Sequence, residues 1–117
     1  MTNPILSITT YQTGQRFFHM YCPGCELVHH VTDGPSGWEW NGDESAPTFS
    51  PSILVRGGDP DRRCHSFVRG GLWEFLDDCS HALAGKRVPL PPLPDWHMEL
   101  RRDIERRDME FRHRGAS

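Results

Sequence analysis

A chain of 117 residues holds one domain with one modest core and is too short for two domains of ordinary size. Hydrophobic residues make up only 36% of it, and 11 Gly with 10 Pro favour short strands and turns over long helices. The net charge of −3 is spread as 7 basic and 11 acidic groups over residues 1–95 and as 6 and 5 over residues 96–117, which excludes a basic patch.

The N-terminal stretch MTNPILSITTYQTGQ has no basic segment followed by an apolar run, and no window approaches the roughly 18 apolar residues of a membrane span. The expectation is a soluble cytoplasmic protein, where four Cys are metal ligands or redox groups before they are disulfides. QRFFHMYC and ELVHHVT read as two strands joined by the tight CPGC. DGPSG is a turn, WEW a short strand, and NGDESAP a connection opened by a turn dipeptide. TFSPSILV continues the sheet, with Pro51 confined to an edge or a bulge because it has no amide hydrogen.

After the loop RGGDPDRR, CHSFV and LWEFL form a hairpin around RGG, whose glycines accept the positive φ of a tight turn. If Gly70 and Gly71 are the loop, Arg69 faces Leu72 and Cys64 faces Asp77, and Cys79 falls just past the open end. DDCSHALAG predicts a short helical turn stopped by Gly85, and KRVPLPPLP an extended strap. Beyond Pro94, with Asp95 as N-cap, WHMELRRDIERRDMEFRHR predicts one long helix. Trp96, Leu100, Ile104 and Phe111 mark its apolar stripe, and Asp103–Arg107, Asp108–Arg112 and Glu110–Arg114 are acid-first i, i+4 pairs. The fold class expected is β-rich α+β: a small zinc-stapled antiparallel sheet of zinc-ribbon-like hairpins with one C-terminal helix. Residues 1–95 form the zinc-binding part, including the strap 86–95, and residues 96–117 a charged amphipathic helix of the same domain.

A core this small calls for a staple, and four Cys with seven His supply the material. Cys-x-x-Cys between strands, away from any helix N-terminus, suits one Zn²⁺ better than a redox dithiol. Zinc takes about four ligands, so the rest must come from the hairpin. The set of first choice is Cys22, Cys25, Cys64 and Cys79, with His81, His65 and His29 as alternates. Cys64 and His65 are strand neighbours on opposite faces, so the two do not share one ion.

The stretches YCPGCELVH, GWEWNGDESAPTFSPSILVRG and CHSFVRGGLWEFLDDCSHALAGKRVPLPPLPDW resemble a family of small zinc-binding-like phage and prophage proteins, over residues 21–96. Its members share CPGC, a WxWNG to PTFSPS centre and a CHSF to DCxHxLAG end. The resemblance implies phage origin and no particular activity. Such proteins often carry an ammonia monooxygenase label, whose chemistry would need membrane spans or a multi-His site that this sequence lacks. In the centre, Trp38, Trp40, Asn41, Thr48, Ser50 and Ser52 offer either a recognition surface or a Trp-filled core with a polar turn.

Three functions compete. The first is an accessory protein with structural zinc that binds a host or phage protein, with Leu100, Ile104 and Phe111 also available for self-association. The second is a zinc-dependent hydrolase, in which an open metal position holds water and Asp77, Asp78, Glu74 or His81 serves the chemistry. The third is a zinc-ribbon nucleic-acid binder using Arg62, Arg63, Arg69, Lys86 and Arg87, opposed by Asp59, Asp61, Asp77 and Asp78. The balance of the sequence leans away from an enzyme.

Overall fold

Eight strands in two antiparallel sheets, followed by one helix, make up the computed structural model, which describes residues 2–57 and 61–115, with side chains as far as Arg107. The β-rich class with one C-terminal helix is as expected. The division into two sheets is not, because the pattern of CHSFV and RFFHMYC reports alternation and not which strand pairs with which.

The first sheet has the order β1 (Ser7–Thr10), β2 (Arg16–Cys22), β3 (Leu27–Thr32). β1 escapes a sequence reading because SITT is short and its only apolar residue is Ile8. In β2 alternation sends Phe18, Met20 and Cys22 inward, and the register Phe18↔Val31 and Met20↔His29 puts Val31 and His29 on the same face. The CPGC turn closes with the Glu26 amide donating to the Cys22 carbonyl (2.8 Å), and Glu26, not Gly24, takes the left-handed backbone at φ 57°.

The second sheet has the order β4 (Glu39–Trp40), β5 (Phe49–Arg56), β6 (Arg63–Arg69), β7 (Leu72–Phe75), β8 (Arg87–Pro89). Gly70 and Gly71, at φ 56° and 82°, make the two-residue hairpin and set Arg69 opposite Leu72. The ladder stops at Ser66↔Phe75, so Cys64 does not reach a partner at Asp77. Pro51 sits inside the register shift between Phe49 and Ile53, the bulge its missing donor requires.

Residues 77–85 form successive turns rather than the single short helical turn expected, closed by Gly85 at φ 76°. The reason lies in Ser80, whose amide and hydroxyl are both committed to the main chain of Arg63 on β6. The strap contributes β8 as an edge strand on β7.

Both sheets share one core. Phe18 meets Phe49 edge-on at 5.1 Å between ring centroids, and the buried Trp73 donates its indole N–H to the Tyr21 carbonyl across the sheets (3.0 Å). α1 (Asp95–Gly115) begins with the Pro94 carbonyl accepting the Met98 amide (3.3 Å). Pro94 is therefore the cap, and Asp95 in the first turn accepts from the Asn3 side chain (2.7 Å). His97 docks α1 on the first sheet through Ser7 (3.1 Å). Asp103 and Arg107 pair at 3.3 Å as expected, whereas Phe111, the pairs Asp108–Arg112 and Glu110–Arg114, and Asp59 lie outside the described residues or side chains. Among the described residues no helix is long and apolar enough to cross a membrane.

Candidate active site and metal centre

Strand β6 carries two kinds of chemistry on its two faces. Cys64 points into the core and His65 points outward, as alternation dictates. On the inner face the sulfur and nitrogen atoms of Cys22, Cys25, His29 and Cys64 all lie within 4.8 Å of one another, so these four side chains could hold a metal ion. Cys22 ends β2, Cys25 lies in the turn after it, His29 comes from β3 and Cys64 from the other sheet.

Two observations show that the residues fit a metal. The Sγ atoms of Cys22 and Cys64 are 3.9 Å apart, and tetrahedral thiolates at about 2.3 Å from an ion stand about 3.8 Å apart. Nε2 of His29 is buried and has no hydrogen-bond partner among the described residues, a cost that a metal bond would remove. The hydrogen bond from the Cys64 thiol brings Cys22 down to about 4 against the opposing effect of burial, with His29 and the Cys25 amide assisting. That same bond and burial push Cys64 up, and burial together with the Cys22 charge raises Cys25 to about 11.

Of the alternates, His81 lies beside this cluster. Its Nε2 is 3.4 Å from the Cys64 Sγ and its ring covers Gly24, where an added Cβ would fall 2.3 Å from the imidazole. Cys79 groups with Cys64 and His81 but not with the Cys-x-x-Cys pair. His65 is turned to the opposite face.

That outer face holds what sequence reasoning did not assemble. Leu54 pairs with His65, so Ser52, two residues along β5, shares the face of the imidazole. The Ser52 Oγ lies 3.2 Å from His65 Nε2, and His65 Nδ1 lies 3.2 Å from the Asp78 carboxylate. The carboxylate fixes the proton on Nδ1, which leaves the Nε2 lone pair to receive the Ser52 hydroxyl. Arg63 stands 3.6 Å from the same carboxylate oxygen. A hydroxyl, an imidazole and a carboxylate in this order are the groups of a nucleophile, its base and the base's orienting acid. The signal available in the sequence was parity: Ser52 and His65 fall on one face once the strands flanking RGGDPDRR are paired with Leu54 opposite His65.

Of the other centre residues, Trp38, Trp40, Asn41 and Thr48 bond or pack within the domain. Asn41 ties the 41–48 loop, donating to the Ala46 carbonyl (3.1 Å) and accepting the Thr48 amide (3.1 Å). The Thr48 hydroxyl accepts the Gly70 amide (2.8 Å), and Ser50 is exposed. Trp40 packs on Phe18 and Phe49, and the Trp38 indole donates to the Ser52 carbonyl (3.3 Å), which steadies the strand at Ser52. Glu74 pairs with Arg69 and lies near Arg87, on the outer face away from the thiols. Asp77 lies against Gly85.

Neither the curated proteins nor the solved structures give a match to this chain. A family model does, over a stretch that contains Cys22, Cys25, His29, Ser52, Cys64 and His65 and stops just short of Asp78. Residues 2–76 match the family described as bacterial ubiquitination-like system serine protease (BubE), more than half of the 117 residues, and the chain belongs to that family.

Proposed function

We propose that this chain is a serine protease of a bacterial ubiquitination-like system, with Ser52 as nucleophile, His65 as base and then acid, and Asp78 as the group that holds His65. The observation that carries this reading is the hydrogen-bonded row Ser52, His65, Asp78 on the exposed side of the second sheet. Ser52 Oγ adds to the carbonyl carbon of the scissile amide while its proton passes to His65 Nε2. His65 returns that proton to the leaving nitrogen as the C–N bond breaks, and the acyl group remains on Ser52. Water, giving its proton to His65, then releases the acyl group as a carboxylic acid, and the serine recovers its proton. Asp78 stays ionised throughout and stabilises the imidazolium.

A fluorophosphonate probe tests this directly. It labels the wild type, fails on Ser52→Ala, and labels His65→Ala about 10²- to 10⁴-fold more slowly. Asp78→Asn is the milder lesion, because the Asp78 side chain is 41% exposed and water replaces part of its field. Labelling of Ser52→Ala at the wild-type rate ends the proposal.

The cation that three thiols and an imidazole suit is zinc, held by Cys22, Cys25, Cys64 and His29 as a closed structural ion. It would tie the two sheets together and take no part in the hydrolysis. Zinc in a one-to-one ratio by elemental analysis, lost in Cys22→Ser, tests this assignment. The second reading, a phage-encoded module that binds a protein partner, draws support from Trp96, Leu100 and Ile104, which are 54, 52 and 54% exposed along one line of α1.

A further inference from the structure

Cys79 differs from the other cysteines in what its sulfur touches. Its Sγ lies 3.1 Å from the carbonyl oxygen of His65 and 3.3 Å from the His65 amide nitrogen, and the residue is 8% exposed. The β6–β7 ladder has ended by this point, with the Leu76 amide donating to the His65 carbonyl (2.9 Å) as its last main-chain bond. Where β7 turns away, the thiol takes the place of a strand: S–H donates to the carbonyl and the sulfur accepts the amide. A thiolate could do only the second and would set its charge against the carbonyl dipole. In this bracket the sulfur spends both its donor and its acceptor on the His65 main chain.

The next residue repeats the device with oxygen. The Ser80 hydroxyl accepts the Arg63 amide (2.9 Å) and donates to the Arg63 carbonyl (3.1 Å). Residues 79 and 80 thus extend the sheet, Cys79 through its side chain and Ser80 through its side chain and its amide, one rung on each of two outward-facing residues of β6. Asp78, immediately before them, holds the His65 ring. One short turn grips the base twice, by its imidazole and by its main chain.

We propose that Cys79 is the positioning residue for His65, fixing its main chain so that the ring spans Ser52 and Asp78, and that it is not a metal ligand. This rests on the Ser52–His65–Asp78 reading. The experiment compares full-length wild type, Cys79→Ala and Cys79→Ser by fluorophosphonate labelling rate, zinc content and hydrogen exchange of the His65 amide. Cys79→Ala is expected to retain its zinc, to lose protection at the His65 amide, and to label roughly 10- to 100-fold more slowly, the cost of a misplaced base. Cys79→Ser, able to donate and accept as Ser80 does, is expected to restore both protection and most of the rate.

Loss of zinc from both variants would make Cys79 a ligand and overturn the proposal. So would an Ala variant that labels as fast as wild type, or a Ser variant no better than the Ala variant. A wild type that the probe does not label while the His65 amide responds as expected would instead remove the triad reading, and the catalytic role of the bracket with it.

Discussion

At the scale of single residues, both candidate sites depend on atoms that fit with little room to spare. Gly24 shows this most directly. An alanine there would place its Cβ 2.3 to 2.5 Å from the His81 ring, which must then leave its position against Cys64. Gly24→Ala is expected to destabilise the protein by about 1 to 3 kcal/mol, the ordinary cost of overpacking. A urea titration reads the change, and an unchanged midpoint would show that His81 moves aside freely. The thiol pair of the metal centre was legible in CPGC because its ligand spacing is local. The row Ser52, His65, Asp78 was not, although all three residues had been singled out, each for a different reason. Serines, histidines and aspartates are common, and only the pairing Leu54↔His65 together with the turn after β7 brings these three into line.

Among elements, the strands around CPGC and around Gly70–Gly71 were readable because each hairpin carries its own turn chemistry. The arrangement of α1 over the first sheet was not, since it depends on histidines that meet only in space. His19 lies 5.1 Å from His97 and 6.0 Å from His30 between ring centroids. Burial lowers His19 to about 4, and the charges of His97, His30 and Arg101 act in the same direction. Burial, then Arg101, lowers His97 as well. In the unfolded chain these rings take protons near pH 6.5, so the unfolded state binds more protons as the pH falls from about 6.5 toward 4. The stability that depends on their staying neutral is complete above that window and is lost through it. The melting temperature of wild type should therefore fall more between pH 7.5 and 5 than that of His19→Gln. Parallel losses in the two proteins would place the acid sensitivity elsewhere, for instance in the thiols.

For the whole molecule, the candidate metal centre and the outer face meet on the two sides of β6. Cys22 and Cys25 belong to the β2–β3 hairpin and Cys64 to the other sheet, so an ion among them would clamp the shared core next to Trp73. Stripping the metal with a strong chelator is expected to lower the melting temperature and slow fluorophosphonate labelling together, although no metal touches Ser52. Labelling that survives in a stripped but less stable protein would show that the second sheet holds its shape alone. Cys64 and His65 are adjacent, one facing in and the other out. A strand offers its side chains only two directions, so a slip of one residue in β6 would send a sulfur to the water and an imidazole to the core. An insertion of one residue within β6 is therefore expected to disarm both candidate sites at a stroke.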